Sequence, residues 1–214
     1  MALMTSRRKS LEDCKLYLIL DRSVNSYKEL FEIAEAAVGS GVDILQLRDK
    51  SGEAKFILEG AKHIAAICRD KAYFILNDRI DIAYAAGADG VHLGQDDLPI
   101  DAARKILPGN SIIGLSCQTL QQAKEAQSKG ADYIGFGSVF KTLTKPQRDP
   151  MDLGLLRSVY KEINIPVFAI GGIDLSNVGL LTEIGVKRVA VCRAVGLADD
   201  IPAVVRDFSE ALDK

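Results

Sequence analysis

The sequence carries no excess of either charge, with 27 Lys and Arg against 29 Asp and Glu in 214 residues. A basic face or stripe for nucleic acid is therefore missing, and any anion must be held by a few placed cations. Cysteines are few and scattered: Cys14, Cys68, Cys117 and Cys192 form no CxxC pair. That argues against a disulfide frame and suits free thiols in a reducing cytoplasm, the expected location. No run nears the roughly 18 apolar residues that a membrane span requires. Met1–Ser10 carries Arg7, Arg8 and Lys9, but no apolar segment follows, so it does not read as a signal peptide. Histidine is limited to His63 and His92. No Ser-His-Asp set is apparent, and no neighbouring His supports Cys117 as a thiolate nucleophile. His63, in a helix, reads as surface, and His92, mid-strand, reads as a hydrogen-bonded barrel residue rather than a base. Linkers and low-complexity segments are absent, and Lys141–Pro150 is the one irregular stretch.

What the chain does contain is a 48% hydrophobic complement arranged in alternation. Short apolar runs at Leu16–Leu20, Ile44–Leu47, Tyr73–Leu76, Gly90–Leu93, Ile112–Leu115, Tyr133–Phe136, Val167–Ile170 and Arg188–Val191 read as strands. Most are continuous rather than alternating, as in strands covered on both faces. Segments of helical period lie between them, among them Tyr27–Val38, Ala54–Arg69, Leu120–Lys129 and Leu153–Glu162. Strict alternation predicts a parallel sheet with crossover helices. Gly41-Val42-Asp43, Gly87-Ala88-Asp89, Gly130-Ala131-Asp132 and Gly185-Val186-Lys187 recur where a helix ends and an even-numbered strand begins. Such a quarter repeat favours a single (β/α)8 TIM barrel, an α/β fold, over a doubly wound open sheet. The expected layout is a flexible tail over residues 1–13 and one barrel domain over 14–214.

In a barrel of this kind chemistry collects at the C-terminal ends of the strands. The second strand runs out in Gln46-Leu47-Arg48-Asp49-Lys50. A side-chain period of two puts Gln46, Arg48 and Lys50 on one face, with Leu45 and Leu47 on the other. Two cations and an amide aimed at one mouth suit an anion with several oxygens; a plain surface charge cluster is the alternative. The third strand ends in Asn77-Asp78 and the fourth in Gly94-Gln95-Asp96-Asp97. Carboxylates converging from neighbouring strands repel unless a cation lies between them, and Mg²⁺ takes such ligands together with phosphate oxygens. Asp96 or Asp97 can instead cap the helix near Ile100–Leu107. Gly171-Gly172 after the seventh strand and Cys192-Arg193 after the eighth occupy the usual phosphate position of such barrels. The stretch Thr142-Leu143-Thr144-Lys145 offers two hydroxyls and an ammonium to a phosphate, in a loop that can close over the mouth; a solvated turn is the alternative.

Taken in order, QLRDK (Gln46–Lys50), NDR (Asn77–Arg79), GVHLGQDD (Gly90–Asp97), GLS (Gly114–Ser116), TLTK (Thr142–Lys145) and IGGI (Ile170–Ile173) make the chain resemble the thiamine phosphate synthase family from about Leu16 to Arg206. The resemblance implies a transferase joining a hydroxymethylpyrimidine diphosphate to a thiazole phosphate, with Mg²⁺ as cofactor and diphosphate released. It implies that Gln46, Arg48, Lys50 and Asn77 hold the pyrimidine diphosphate and that Ser116 and Lys145 also contact it. Arg48, Lys50, Ser116 and Lys145 would be the catalytic set. Asp78 and Asp97 would ligate Mg²⁺, while Thr142, Thr144 and Gly172 would receive the thiazole phosphate. The chain departs from the family after the eighth strand, where Cys192-Arg193 replaces a small residue followed by Ser. Arg193 either grips the phosphate bidentately or points away and leaves it to backbone groups.

The same family likeness extends to a thiazole tautomerase, a related barrel. That relative lacks the full acidic pair and the TxTK loop, and carries a His two positions after the Ser, where this chain has Gln118. A non-catalytic precursor-binding paralogue should have lost a metal carboxylate or a diphosphate cation, and all are retained here. A generic sugar-phosphate isomerase would use the paired Asp residues as acid and base. The expected partners are small molecules, with neither nucleic acid nor membrane, and a homo-oligomer is left open.

Overall fold

In a computed structural model of the chain, which describes residues 8–142 and 149–213, eight parallel strands close into a barrel in chain order, β1 pairing with β8. The first half runs β1 (Leu16–Asp21), α1 (Tyr27–Gly39), β2 (Ile44–Arg48), α2 (Ala54–Cys68), β3 (Tyr73–Asn77), α3 (Ile80–Ala86), β4 (Gly90–Leu93) and α4 (Ile100–Ile106). The second half runs β5 (Ile112–Cys117), α5 (Leu120–Ser128), β6 (Tyr133–Phe136), α6 (Leu153–Glu162), β7 (Val167–Ile170), α7 (Val178–Glu183) and β8 (Val189–Val191). A short α8 (Arg193–Gly196) and a final α9 (Ile201–Leu212) complete it. The expected (β/α)8 barrel is thus the observed fold. Several strands reach further than their apolar runs, into Asp21, Arg48, Asn77 and Ser116-Cys117. Backbone pairing such as Asp21 with Arg48 carries those polar residues up to the mouth. No helix among the described residues is long and apolar enough to cross a membrane.

Alternation along the strands divides the side chains into two cores. Leu45, Leu47, Phe74, Leu76, Val91 and Leu93 face outward and pack under the helices. Tyr17, Ile44, Ile75, Tyr133, Phe168 and Ala190 face inward and fill the barrel axis. The ring of Tyr133 occupies space that a Cβ on Gly114 would take, so the glycine of the fifth strand is a packing requirement. The repeated glycines are all left-handed, with φ of 99° at Gly41, 69° at Gly87, 83° at Gly130 and 90° at Gly185. Each turns the chain from a helix into an even-numbered strand.

The aspartates of that repeat stitch the lower rim. Asp43 accepts the N–H groups of Lys15 and Leu16 at 2.8 and 3.0 Å, Asp89 that of Phe74 at 2.8 Å, and Asp132 that of Ile113 at 2.6 Å. Each also meets a cation: Lys9, Arg8 and Arg104 respectively. Two of those cations belong to the segment expected to be a tail. From Arg8 onward it docks instead: Tyr73 donates its hydroxyl to the Lys9 carbonyl at 3.0 Å, and Leu11 packs beneath the axial core. Residues 1–7 lie outside the described residues. The docking has a simple cause, because the apolar bottom of a barrel needs a cover.

Candidate active site

At the upper end of the barrel a cavity of about 450 Å³ opens, lined by inward-facing residues from all eight strands. Its floor is aromatic: Tyr17, Tyr133 and Phe168 meet with ring centroids 5.4 to 5.7 Å apart. Above that floor stand the inward polar residues. Gln46 is 3% exposed and donates its amide to the Tyr17 hydroxyl at 2.6 Å. The Tyr17 and Tyr133 hydroxyls lie 2.8 Å apart, and Tyr133 lies 2.9 Å from His92 Nδ1. His92 Nε2 in turn lies 2.9 Å from Ser116 Oγ. His92 is therefore the hydrogen-bonded barrel residue expected from its mid-strand position. Asn77 also lines the cavity, and its buried Nδ2 has no hydrogen-bond partner among the described residues. A buried unsatisfied amide costs stability, so it marks a place where a ligand acceptor fits.

The cations are not bare. Arg48 Nη1 lies 2.6 Å from Asp21 Oδ2, and Asp21 is only 2% exposed. Lys50, exposed at the rim, pairs with Asp78. A cation half-buried in a barrel must be matched in the free protein, and the two cations expected to face an anion are each held here in an ion pair. Asp21 escaped the sequence reading. Its signal was the register of the first two strands, which sets it opposite Arg48. Tyr17 and Tyr133 escaped as well, because an inward tyrosine is indistinguishable in sequence from ordinary core.

Asp78 sits in the left-handed region at φ 59°, unusual for a residue other than glycine. This tight turn, with Arg79 N–H bonded to the Asn77 carbonyl at 2.7 Å, brings the Asp78 carboxylate against that of Asp97. Burial, together with the Asp97 carboxylate, pushes the Asp78 pKa above its ordinary value despite Lys50. Burial acts on Asp97 in the same sense, but there the Gly94 N–H, Asp78 and Lys50 outweigh it, and its pKa falls. Asp97 is not a helix cap. Pro99 takes the N-cap position of α4, while Asp97 turns back to accept the Gly94 N–H at 2.6 Å. No group of three or more His, Cys, Asp or Glu that could hold a metal occurs among the described residues. A cation at this pair would therefore draw its other ligands from substrate oxygens and water, the habit of Mg²⁺.

The opposite side of the mouth is built from backbone. Gly171 and Gly172 follow β7 with φ of 111° and 64°, and a Cβ on Gly172 would collide with the Lys141 carbonyl. Only glycine lets these two loops approach so closely. Thr142 lines the cavity beside them, whereas Thr144 and Lys145 lie outside the described residues. Cys192 and Arg193 both line the cavity at the start of α8. Burial pushes the Cys192 thiol up to about 12, and that of Cys117 likewise, so neither is a ready nucleophile.

Fold and mouth define the class: a (β/α)8 barrel with carboxylates, paired cations and glycine loops at the C-terminal ends of its strands. The chain belongs to the thiamine monophosphate synthase family, whose model matches residues 16–195. It is 43% identical over 208 residues to a thiamine-phosphate synthase of Prochlorococcus marinus (strain MIT 9313), covering 96% of this chain and 59% of that protein. The chain thus spans about three-fifths of the length of that relative. With a thiamine-phosphate synthase of Methanospirillum hungatei JF-1 it shares 43% identity over 202 residues, covering 94% of this chain and 98% of the other. Among solved structures, thiamine phosphate pyrophosphorylase from Pyrococcus furiosus superposes with a TM-score of 0.86 at 35% identity, covering 96% of this chain and 98% of the other.

Proposed function

We propose that this chain is a Mg²⁺-dependent, cytoplasmic thiamine-phosphate synthase acting on two small molecules. It condenses 4-amino-2-methyl-5-hydroxymethylpyrimidine diphosphate with 4-methyl-5-(2-hydroxyethyl)thiazole phosphate to thiamine phosphate and diphosphate. The observation that carries this reading is the Asp78–Asp97 pair beside an orphaned Asn77 amide and the ion-paired Arg48 and Lys50. The relatives' names agree with it. The cytoplasmic placement is supported by four free thiols.

In this reading Gln46, Arg48, Lys50, Asn77, Ser116 and Lys145 hold the pyrimidine diphosphate, and Asp78 and Asp97 hold Mg²⁺. The metal, when bound, neutralises charge on the departing diphosphate. Arg48 and Lys50 exchange part of their pairing with Asp21 and Asp78 for phosphate oxygens, where charge grows as the C–O bond breaks. Positive charge left on the pyrimidine methylene is captured by the thiazole nitrogen, which already has a free lone pair. No general base is needed, and the aromatic floor keeps competing water away from that carbon. Thr142, Thr144, Gly172, Cys192 and Arg193 place the thiazole phosphate, so that proximity supplies much of the rest.

The test is product formation from the two precursors with and without Mg²⁺, run beside a thiazole tautomerase assay. Thiamine phosphate and diphosphate should appear only with Mg²⁺, and tautomerisation should be absent. Tautomerase activity without condensation would overturn the reading.

A further inference from the structure

Five polar side chains cross the barrel floor in one line: Gln46, Tyr17, Tyr133, His92 and Ser116. Their separations are 2.6, 2.8, 2.9 and 2.9 Å. Each link is a single hydrogen bond between groups that can donate in one direction and accept from the other. Both tyrosines are at most 1% exposed, so neither hydroxyl proton can turn to water. A buried hydroxyl that accepts on one side must therefore donate on the other.

We propose that this line is a proton-polarised wire in which the Gln46 amide sets the tautomer of His92 and, through it, the donor face of Ser116. Gln46 Nε2 gives its proton to Tyr17. Tyr17 must then donate to Tyr133, and Tyr133 to His92 Nδ1. A neutral imidazole accepting at Nδ1 carries its proton on Nε2, which is donated to Ser116 Oγ. The Ser116 proton is left to point into the cavity. Reversing the first link would reverse every other one, and Ser116 would then spend its proton on the ring. His92 is thus a positioning residue, and Gln46, beside its own place in the cavity lining, acts as one too, both reaching a ligand through Ser116. The wire itself does not depend on the function proposed above; its consequence for diphosphate does.

The chain's two histidines make the tautomer directly readable by nitrogen NMR of histidine-labelled protein, with the exposed His63 as internal reference. Wild type should show a pyridine-type Nδ1 and a pyrrole-type Nε2 on His92. In Gln46→Glu, recorded up to about pH 10 so that a buried carboxyl is ionised, the new side chain can only accept. The two His92 signals should then exchange types. In Gln46→Glu with Tyr17→Phe the wire is cut, the buried Tyr133 proton has only Nδ1 to bond, and the wild-type pattern should return. An unchanged tautomer in folded Gln46→Glu overturns the wire, as does a reversal that survives Tyr17→Phe. Should Gln46→Glu fail to fold, Tyr133→Phe serves instead. Loss of the donor to Nδ1 should let both tautomers appear, and a single unchanged tautomer overturns the proposal.

The same two variants separate wire from function. Both carry the added carboxyl, so the difference in their affinity for inorganic diphosphate with Mg²⁺, corrected for the effect of Tyr17→Phe alone on the cavity floor, reads the donor face of Ser116. The double variant should bind about tenfold tighter, the scale of one hydrogen bond to a charged group. Equal affinity alongside a reversed tautomer supports the wire and overturns the diphosphate role of Ser116.

Discussion

Both ends of this barrel are ringed with aspartates, and they are used in opposite ways. At the lower rim Asp43, Asp89 and Asp132 each accept a backbone N–H of a neighbouring strand and meet a cation. Those demands are met entirely by the chain itself. At the mouth Asp78 meets Lys50 and Asp97 accepts the Gly94 N–H. Yet the two carboxylates also face one another, Asp78 takes up a left-handed backbone conformation, and the Asn77 Nδ2 has no hydrogen-bond partner among the described residues. Identical chemistry thus reads as architecture where it is satisfied and as a site where it is not.

The comparison is broken most severely by Asp97→Asn. It should lower kcat/KM by about a thousandfold, the scale of lost charge stabilisation at a leaving group, while the melting temperature stays close to wild type. Asp43→Ala should do the reverse. Two backbone N–H groups lose their acceptor, at a cost of about 2 kcal/mol in chemical denaturation, and kcat of the folded enzyme should not change. Asn77→Ala sharpens the contrast. Removing an unsatisfied donor should leave the stability of the ligand-free protein within about 1 kcal/mol of wild type, yet raise KM for the pyrimidine diphosphate about tenfold. The smallest effect is expected for Arg193→Ser, which should leave kcat intact and shift KM for the thiazole phosphate about threefold.

Much of this architecture was legible in the residues. Continuous apolar runs marked buried parallel strands, and the Gly-x-Asp repeat marked the helix-to-strand turns, because a left-handed turn leaves chain chemistry little choice but glycine. The alternation of Gln46 and Arg48 with Leu45 and Leu47 was also readable, since strand period alone assigns the faces. The ion pair of Arg48 with Asp21 was not. It depends on register between strands, which spacing along one strand does not carry. The turn of Asp97 onto Gly94 was hidden for a similar reason: an Asp before a helix reads as a cap until Pro99 is seen to hold that position. The docking of residues 8–13 depends on the apolar underside of a closed barrel, which exists only once the barrel does.

The claim that the mouth is a magnesium–diphosphate site is tested most directly by calorimetric titration of inorganic diphosphate, with and without Mg²⁺. Tight binding should require the metal, vanish in Asp97→Asn and persist in Asp43→Ala. Equal affinity with and without Mg²⁺, or binding undisturbed by Asp97→Asn, would contradict the account.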